Sequence, residues 1–182
     1  GYLTIEKVIS ARDGRYVLCI PNEEIQQEFR DLTASYLNVS ESNLSAMFNG
    51  LRYEERERFA QSYADMLQSL PSYHDLKDEN SYHVLFLGMC AWLSNEYEIK
   101  SNREAGKGRC DIILKAKKER LPSYVLEFKY LKEADEGELE ASARAAIDQI
   151  EGKRYDIELA GKVILVGLAH AGKEVRIAWQ ER

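Results

Sequence analysis

Cysteine, uninterrupted apolar sequence and positive charge are all scarce in this 182-residue chain, and each shortage removes a class of protein. Its three cysteines, Cys19, Cys90 and Cys110, are odd in number, far apart and set among apolar neighbours. That pattern favours free core thiols in a reducing compartment over a disulfide framework or a zinc site. The longest apolar stretch, Val84 to Leu93, includes Gly88 and falls far short of the roughly 20 residues a bilayer span needs. No membrane partner is expected, and the expected location is cytoplasmic. A formal net charge of -6 argues against a protein that coats nucleic acid by bulk electrostatics, while leaving room for a local basic strip.

Several catalytic signatures are missing as well. No G-x-x-x-x-G-K-[ST] phosphate loop occurs, so ATP hydrolysis by that route is excluded for these residues. His74, His83 and His170 stand far apart without an H-E-x-x-H pair, which makes each a packing or surface histidine rather than a zinc ligand. The absence of a G-x-S-x-G elbow leaves a serine hydrolase unsupported. What remains is an ordinary globular composition, 45% hydrophobic and 31% charged, able to bury a core unaided.

Periodicity divides the chain in two. Tyr2 to Ile9 and Tyr16 to Ile20 alternate as short strands around Asp13-Gly14, a turn dipeptide, and predict a hairpin. Asn22 followed by Glu23 and Glu24 predicts a capped helix to about Tyr36. Helices over Ser42 to Phe48 and Tyr53 to Leu70 follow, the second with Phe59, Tyr63, Met66, Leu67 and Leu70 at three- and four-residue steps. Pro71 and the polar run after it break the pattern. This predicts an N-terminal hairpin and helical extension over 1–72 and a second domain over 73–182.

The second part opens with an apolar helix from Asp78 to Asn95 and turns β-like at Tyr97 to Arg103, Cys110 to Lys115 and Tyr124 to Lys129. A helix carrying Leu139, Ala143, Ala146, Ile147 and Ile150 on one side comes next, then strands over Lys162 to Ala169 and Val175 to Trp179. A helix between Lys129 and Lys162 is long enough for a parallel crossover, so the fold class expected is α/β, a mixed sheet flanked by helices.

Charge inside the apolar strands carries the chemistry. Alternation puts Glu127 and Lys129 on one face of their strand, with Leu126 and Phe128 on the other, and Asp111 at the head of the preceding strand can meet them. Carboxylates brought together at a sheet edge raise one pKa or demand a cation. A hard divalent ion such as Mg²⁺, held by one or two carboxylates, answers that demand. Lys129 adds a preorganised positive charge. Lys107 and Arg109, beside Gly106 and Gly108, are candidate phosphate contacts.

Gly108-Arg109-Cys110-Asp111, then Leu126-Glu127-Phe128-Lys129, then Gln149 and Tyr155, resemble the PD-(D/E)XK nuclease superfamily. Within it, Glu79-Asn80-Ser81-Tyr82-His83, Ser101-Asn102-Arg103-Glu104 and Ala145-Ala146-Ile147-Asp148-Gln149-Ile150 are similar to strings of the nuclease-like domain at the C-terminus of bacterial AAA-ATPase-like proteins. The opening Gly1-Tyr2-Leu3-Thr4-Ile5 with Ile20-Pro21-Asn22-Glu23 resembles the tail of that ATPase-like module, which marks the chain as a fragment of such a protein.

The resemblance implies a restriction-endonuclease-like fold. It implies Asp111 and Glu127 as ligands of Mg²⁺ or Mn²⁺, Glu79 as an accessory acid near the metal, Lys129 as the catalytic lysine, and Gln149 and Tyr155 reaching toward the site and the DNA backbone. Cys110 stands where the superfamily's name has proline. The implied activity is metal-dependent phosphodiester hydrolysis of nucleic acid, with DNA the expected substrate. The implied partner is the ATPase-like module of the full-length protein, and a homodimer would suit cleavage of both strands. The alternative is a nuclease-fold module that binds nucleic acid or protein without cutting.

Overall fold

The computed structural model describes residues 2–71, 76–105, 108–157 and 159–182, with the side chains of residues 36, 102–105, 108 and 109 left aside. Two strands, β1 (Thr4–Ser10) and β2 (Arg15–Cys19), form an antiparallel hairpin. Three helices follow, α1 (Glu23–Leu37), α2 (Glu41–Arg52) and α3 (Arg56–Ser69). Then come α4 (Glu79–Met89), a short 3-10 turn at Cys90–Leu93, β3 (Tyr97–Ala105), β4 (Gly108–Ala116), β5 (Ser123–Tyr130), α5 (Glu136–Lys153), β6 (Val163–Ala171) and β7 (Glu174–Glu181). No helix among the described residues is long and apolar enough to cross a membrane.

Strands β3 to β7 lie in sequence order in one mixed sheet. All neighbours are antiparallel except β5 and β6, which α5 joins as the expected parallel crossover. One sheet face carries Ile112, Leu114, Leu126, Phe128, Val166 and Leu168, packed into a single apolar cluster with α2, α3 and α4. The opposite face carries Val125, Leu165 and Ala169 against Ile147, Ile150 and Ala143 of α5. The boundary expected at 72–73 touches residues outside the described set. In space, the larger cluster runs unbroken from Leu44 and Phe59 to Phe128 and Val175.

Local chemistry explains most element ends. Asn22 and Asp78 cap α1 and α4 by accepting the amides of Ile25 and Ser81 at 2.9 and 2.8 Å, as their positions before apolar runs predict. α5 begins with a full capping box between Asp135 and Glu138. The helix expected to reach Asn95 stops at Met89 and tightens. There the Trp92 carbonyl is taken by Arg52 at 3.0 Å and the Ala91 carbonyl by the Ser94 hydroxyl at 2.8 Å, so neither carbonyl depends on a further helical turn. The helix expected from Tyr53 starts at Arg56, because residues 53–55 make the turn between α2 and α3, with Glu54 in the left-handed region at φ 60°.

The hairpin departs furthest from simple alternation. Register shifts between Ile5 and Lys7 and between Val8 and Ser10 put two bulges into β1. Ile5 then stands opposite Leu18 and Val8 opposite Tyr16, and directly opposed residues share a face. The result is one apolar face of Ile5, Val8, Tyr16 and Leu18, each 41% or more exposed. Lys7 with Val17 and Ser10 with Arg15 occupy the other face.

Candidate active site

The ladder between β4 and β5 ends at Ile112 and Leu126. One residue further along, the strands part, and the amide of Phe128 is accepted by the Asp111 carboxylate, Oδ2, at 2.9 Å. Asp111 therefore bridges the gap it creates, half-buried at the mouth of a fork between two strands. Glu127 and Lys129 follow on β5 at the same mouth, as their two-residue spacing predicts.

Glu127 is only 3% exposed. The Gln149 amide of α5 donates to its Oε1, and the Lys129 ammonium stands 3.6 Å from that same oxygen. Its other oxygen, Oε2, is buried and has no hydrogen-bond partner. An unpaired buried carboxylate oxygen is costly, because nothing replaces the water it gave up. Burial first, and the neighbouring Asp111 charge second, push the Glu127 pKa up to about 7, against the pull of Lys129.

Lys129 is shared. Its Nζ lies 3.7 Å from Oε1 of Glu79, at the start of α4, as well as beside Glu127. Glu79 itself is about half exposed and reaches the site through the lysine. Among the described residues, no three His, Cys, Asp or Glu side chains gather as a ready cage for a metal ion. Asp111 with Glu127 is a pair, and Glu79 is set apart from it by Lys129.

The donor set still fits a hard divalent cation. Mg²⁺ keeps several waters and is commonly held by one or two carboxylates. The unpartnered Glu127 oxygen, with Asp111 beside it, is an oxygen donor that such an ion could use.

Among the remaining sequence candidates, Gln149 reaches the site and holds Glu127 in place. Tyr155 is fully buried in the cluster with Val125 and Ile150, its hydroxyl without a partner, and it packs the floor behind the strands. Lys107 and the Arg109 side chain lie outside the described residues, as does His74. His83, expected to pack, is buried against Phe128 and bonded to Ser101 at 2.8 Å. Cys110 is buried beside the carboxylates and its thiol pKa is pushed up by burial, so it is an inert core thiol.

Sequence reasoning missed the Asp111 bond to the Phe128 amide and the bond between His170 and Tyr63. Neither leaves a motif, since both depend on which strands become neighbours. Residues 77–180 match the PD-(D/E)XK nuclease superfamily, more than half of the chain. No curated protein matches it significantly.

Proposed function

We propose that this chain, which belongs to the PD-(D/E)XK nuclease superfamily, hydrolyses phosphodiester bonds of nucleic acid, DNA in the first instance, with Mg²⁺ or Mn²⁺. The observation that carries the reading is the buried, unpartnered Oε2 of Glu127, flanked by Asp111 and Lys129. Asp111 and Glu127 would hold the metal, with Glu79 as an accessory acid. Bound there, the ion supplies Lewis-acid polarisation of the phosphoryl oxygen and a water of lowered pKa.

The protein's own groups do the rest. Gln149 occupies Oε1 of Glu127, and Oε2 is left without a protein partner. The Lys129 ammonium orients the attacking water and offsets charge building on the phosphoryl oxygens, already held in place by Glu127 and Glu79.

The deciding assay is cleavage of linear, circular and single-stranded DNA with Mg²⁺ or Mn²⁺. Wild type is expected to cut, with Asp111→Ala and Lys129→Ala each slower by a factor on the order of 10³. Folded wild-type protein that binds DNA and never cuts it would establish the non-cleaving module instead.

Metal affinity should follow pH with a definite sign. The ion competes with a proton on Glu127, whose pKa is about 7. The Mg²⁺ dissociation constant is expected to weaken about tenfold per pH unit below that value and to level off above it. Calorimetric titration measures this, and a flat profile down to about pH 5 would remove Glu127 from the ligand set.

An ATPase-like module, of the kind the sequence resemblance implies, is proposed as the partner of the N-terminal extension. Its support is the apolar hairpin face of Ile5, Val8, Tyr16 and Leu18, each left 41% or more exposed among the described residues. A two-stranded hairpin gains little stability alone in water. Co-elution of the two parts in size-exclusion chromatography, lost in a Tyr16→Ser/Leu18→Ser variant, is the expected result.

A further inference from the structure

His170 has no exposed surface and plays no part in the chemistry above. It lies on β6 opposite Tyr130, on the sheet face that packs against α3 and α4. Tyr82 stacks on its ring at 4.0 Å, Phe128 stacks at 5.9 Å, and Tyr63 of α3 meets it edge-on. Both ring nitrogens are engaged, Nδ1 at 3.3 Å from the Lys129 carbonyl oxygen and Nε2 at 3.0 Å from the Tyr63 hydroxyl.

Those partners settle where the proton is. A carbonyl oxygen only accepts, so Nδ1 carries the hydrogen. A neutral ring then leaves Nε2 as an acceptor, and the Tyr63 hydroxyl donates to it. Burial keeps the ring neutral by pushing its pKa down to about 3.

The bond matters because of what β5 lacks at this point. Beyond Leu126 the strand has no ladder to β4, and among the described residues only the Asp111 carboxylate holds the backbone on that side, at Phe128, while on the other side the ladder to β6 continues through Lys129 and Tyr130. Lys129 comes next, and its ammonium stands 3.6 and 3.7 Å from two carboxylates. With the β4 flank open, the ladder to β6 and the His170 ring at the Lys129 carbonyl are what hold the backbone under that ammonium.

We propose that His170 is a positioning residue for Lys129, pinning the lysine's carbonyl through Nδ1–H and itself oriented by the Tyr63 hydroxyl of α3. The helical extension thereby sets the geometry of the site from the far side of the sheet. The effect on catalysis rests on the nuclease reading, and the geometry does not.

The test is NMR of the full 182-residue chain with labelled histidine and lysine, in wild type, Tyr63→Phe, His170→Asn and His170→Leu, with DNA cleavage measured alongside. Wild type should show the proton on Nδ1 across neutral pH. His170→Leu should shift the Lys129 side-chain resonances and lower kcat about tenfold, with KM changed by less than about twofold. His170→Asn, whose amide still donates toward the carbonyl, should restore most of both.

A proton on Nε2, or Lys129 resonances unchanged in a folded His170→Leu, overturns the proposal. If that variant does not fold, Tyr63→Phe decides: it removes one hydroxyl, and unmoved Lys129 resonances overturn the proposal equally. If wild type cuts no substrate, the nuclease reading fails while the resonances still judge the positioning role.

Discussion

Glu127→Gln is expected to abolish cleavage and at the same time make the metal-free protein harder to unfold. The loss of activity follows from removing one of the two carboxylates proposed to hold the metal. Metal-assisted charge stabilisation is worth several kcal/mol, hence a rate loss on the order of 10³-fold. The gain in stability follows from the carboxyl's pKa, raised to about 7 in the folded protein from an ordinary value of 4.5. Between those two values the folded state holds a proton that the unfolded state has released. Wild-type stability therefore falls as pH rises through this window and stays lower above it.

At pH 8 the cost to wild type is about 3 kcal/mol. A neutral amide of the same shape escapes that cost. Urea unfolding without metal should give a Glu127→Gln advantage of about that size at pH 8, shrinking towards zero near pH 4.5 as the wild-type carboxyl protonates in both states. An advantage independent of pH would mean that the charge is not its source. Saturating Mg²⁺ should reverse the order, because only wild type gains binding energy from it.

The second large effect is expected far from any charge. Gly167 of β6 lies under α5, and a Cβ built on it would sit 2.0 Å from the Ala143 carbonyl oxygen and 3.0 Å from the Ala146 side chain. The obstacle is helix backbone, which has no rotamer to yield. Gly167→Ala must push α5 off the sheet, and a loss of about 3 kcal/mol or more follows, roughly a 10 °C drop in Tm for a chain of this length. The same displacement carries Gln149 away from Glu127, so any folded fraction should also cut poorly. A Gly167→Ala protein with unchanged Tm would show that α5 does not press on the strand as described.

Much of this arrangement was legible in the sequence. The crossover between Lys129 and Lys162 foretold the parallel pair β5 and β6. The spacing of Glu127 and Lys129 foretold their shared mouth, because strand periodicity is local and leaves few choices. The crossover helix also brings the Gln149 amide against Glu127. The helix starts at Asn22 and Asp78 were likewise written in their side chains.

What stayed hidden depends on contacts between distant residues. Cys110 shows this: strict alternation would set it on the face opposite Ile113, yet it packs in the same cluster, where β4 leaves its neighbour. The bulges at β1 are of the same kind, since they follow from pairing with β2 rather than from anything in residues 4–10 themselves. Glu79 meets the site through Lys129, an approach set by the packing of α4 on the opposite sheet face. The close approach behind Gly167 is invisible until helix and strand are docked.

The fork between β4 and β5 makes one backbone amide a gauge of the site. In a continuous sheet, the Phe128 amide would bond to a carbonyl that never changes charge. Here its acceptor is the Asp111 carboxylate, so the electron density drawn from that N–H depends on whether the carboxylate is protonated, free or shared with a cation. The strength of a single main-chain bond thus depends on the charge of a side chain, where the two strands separate.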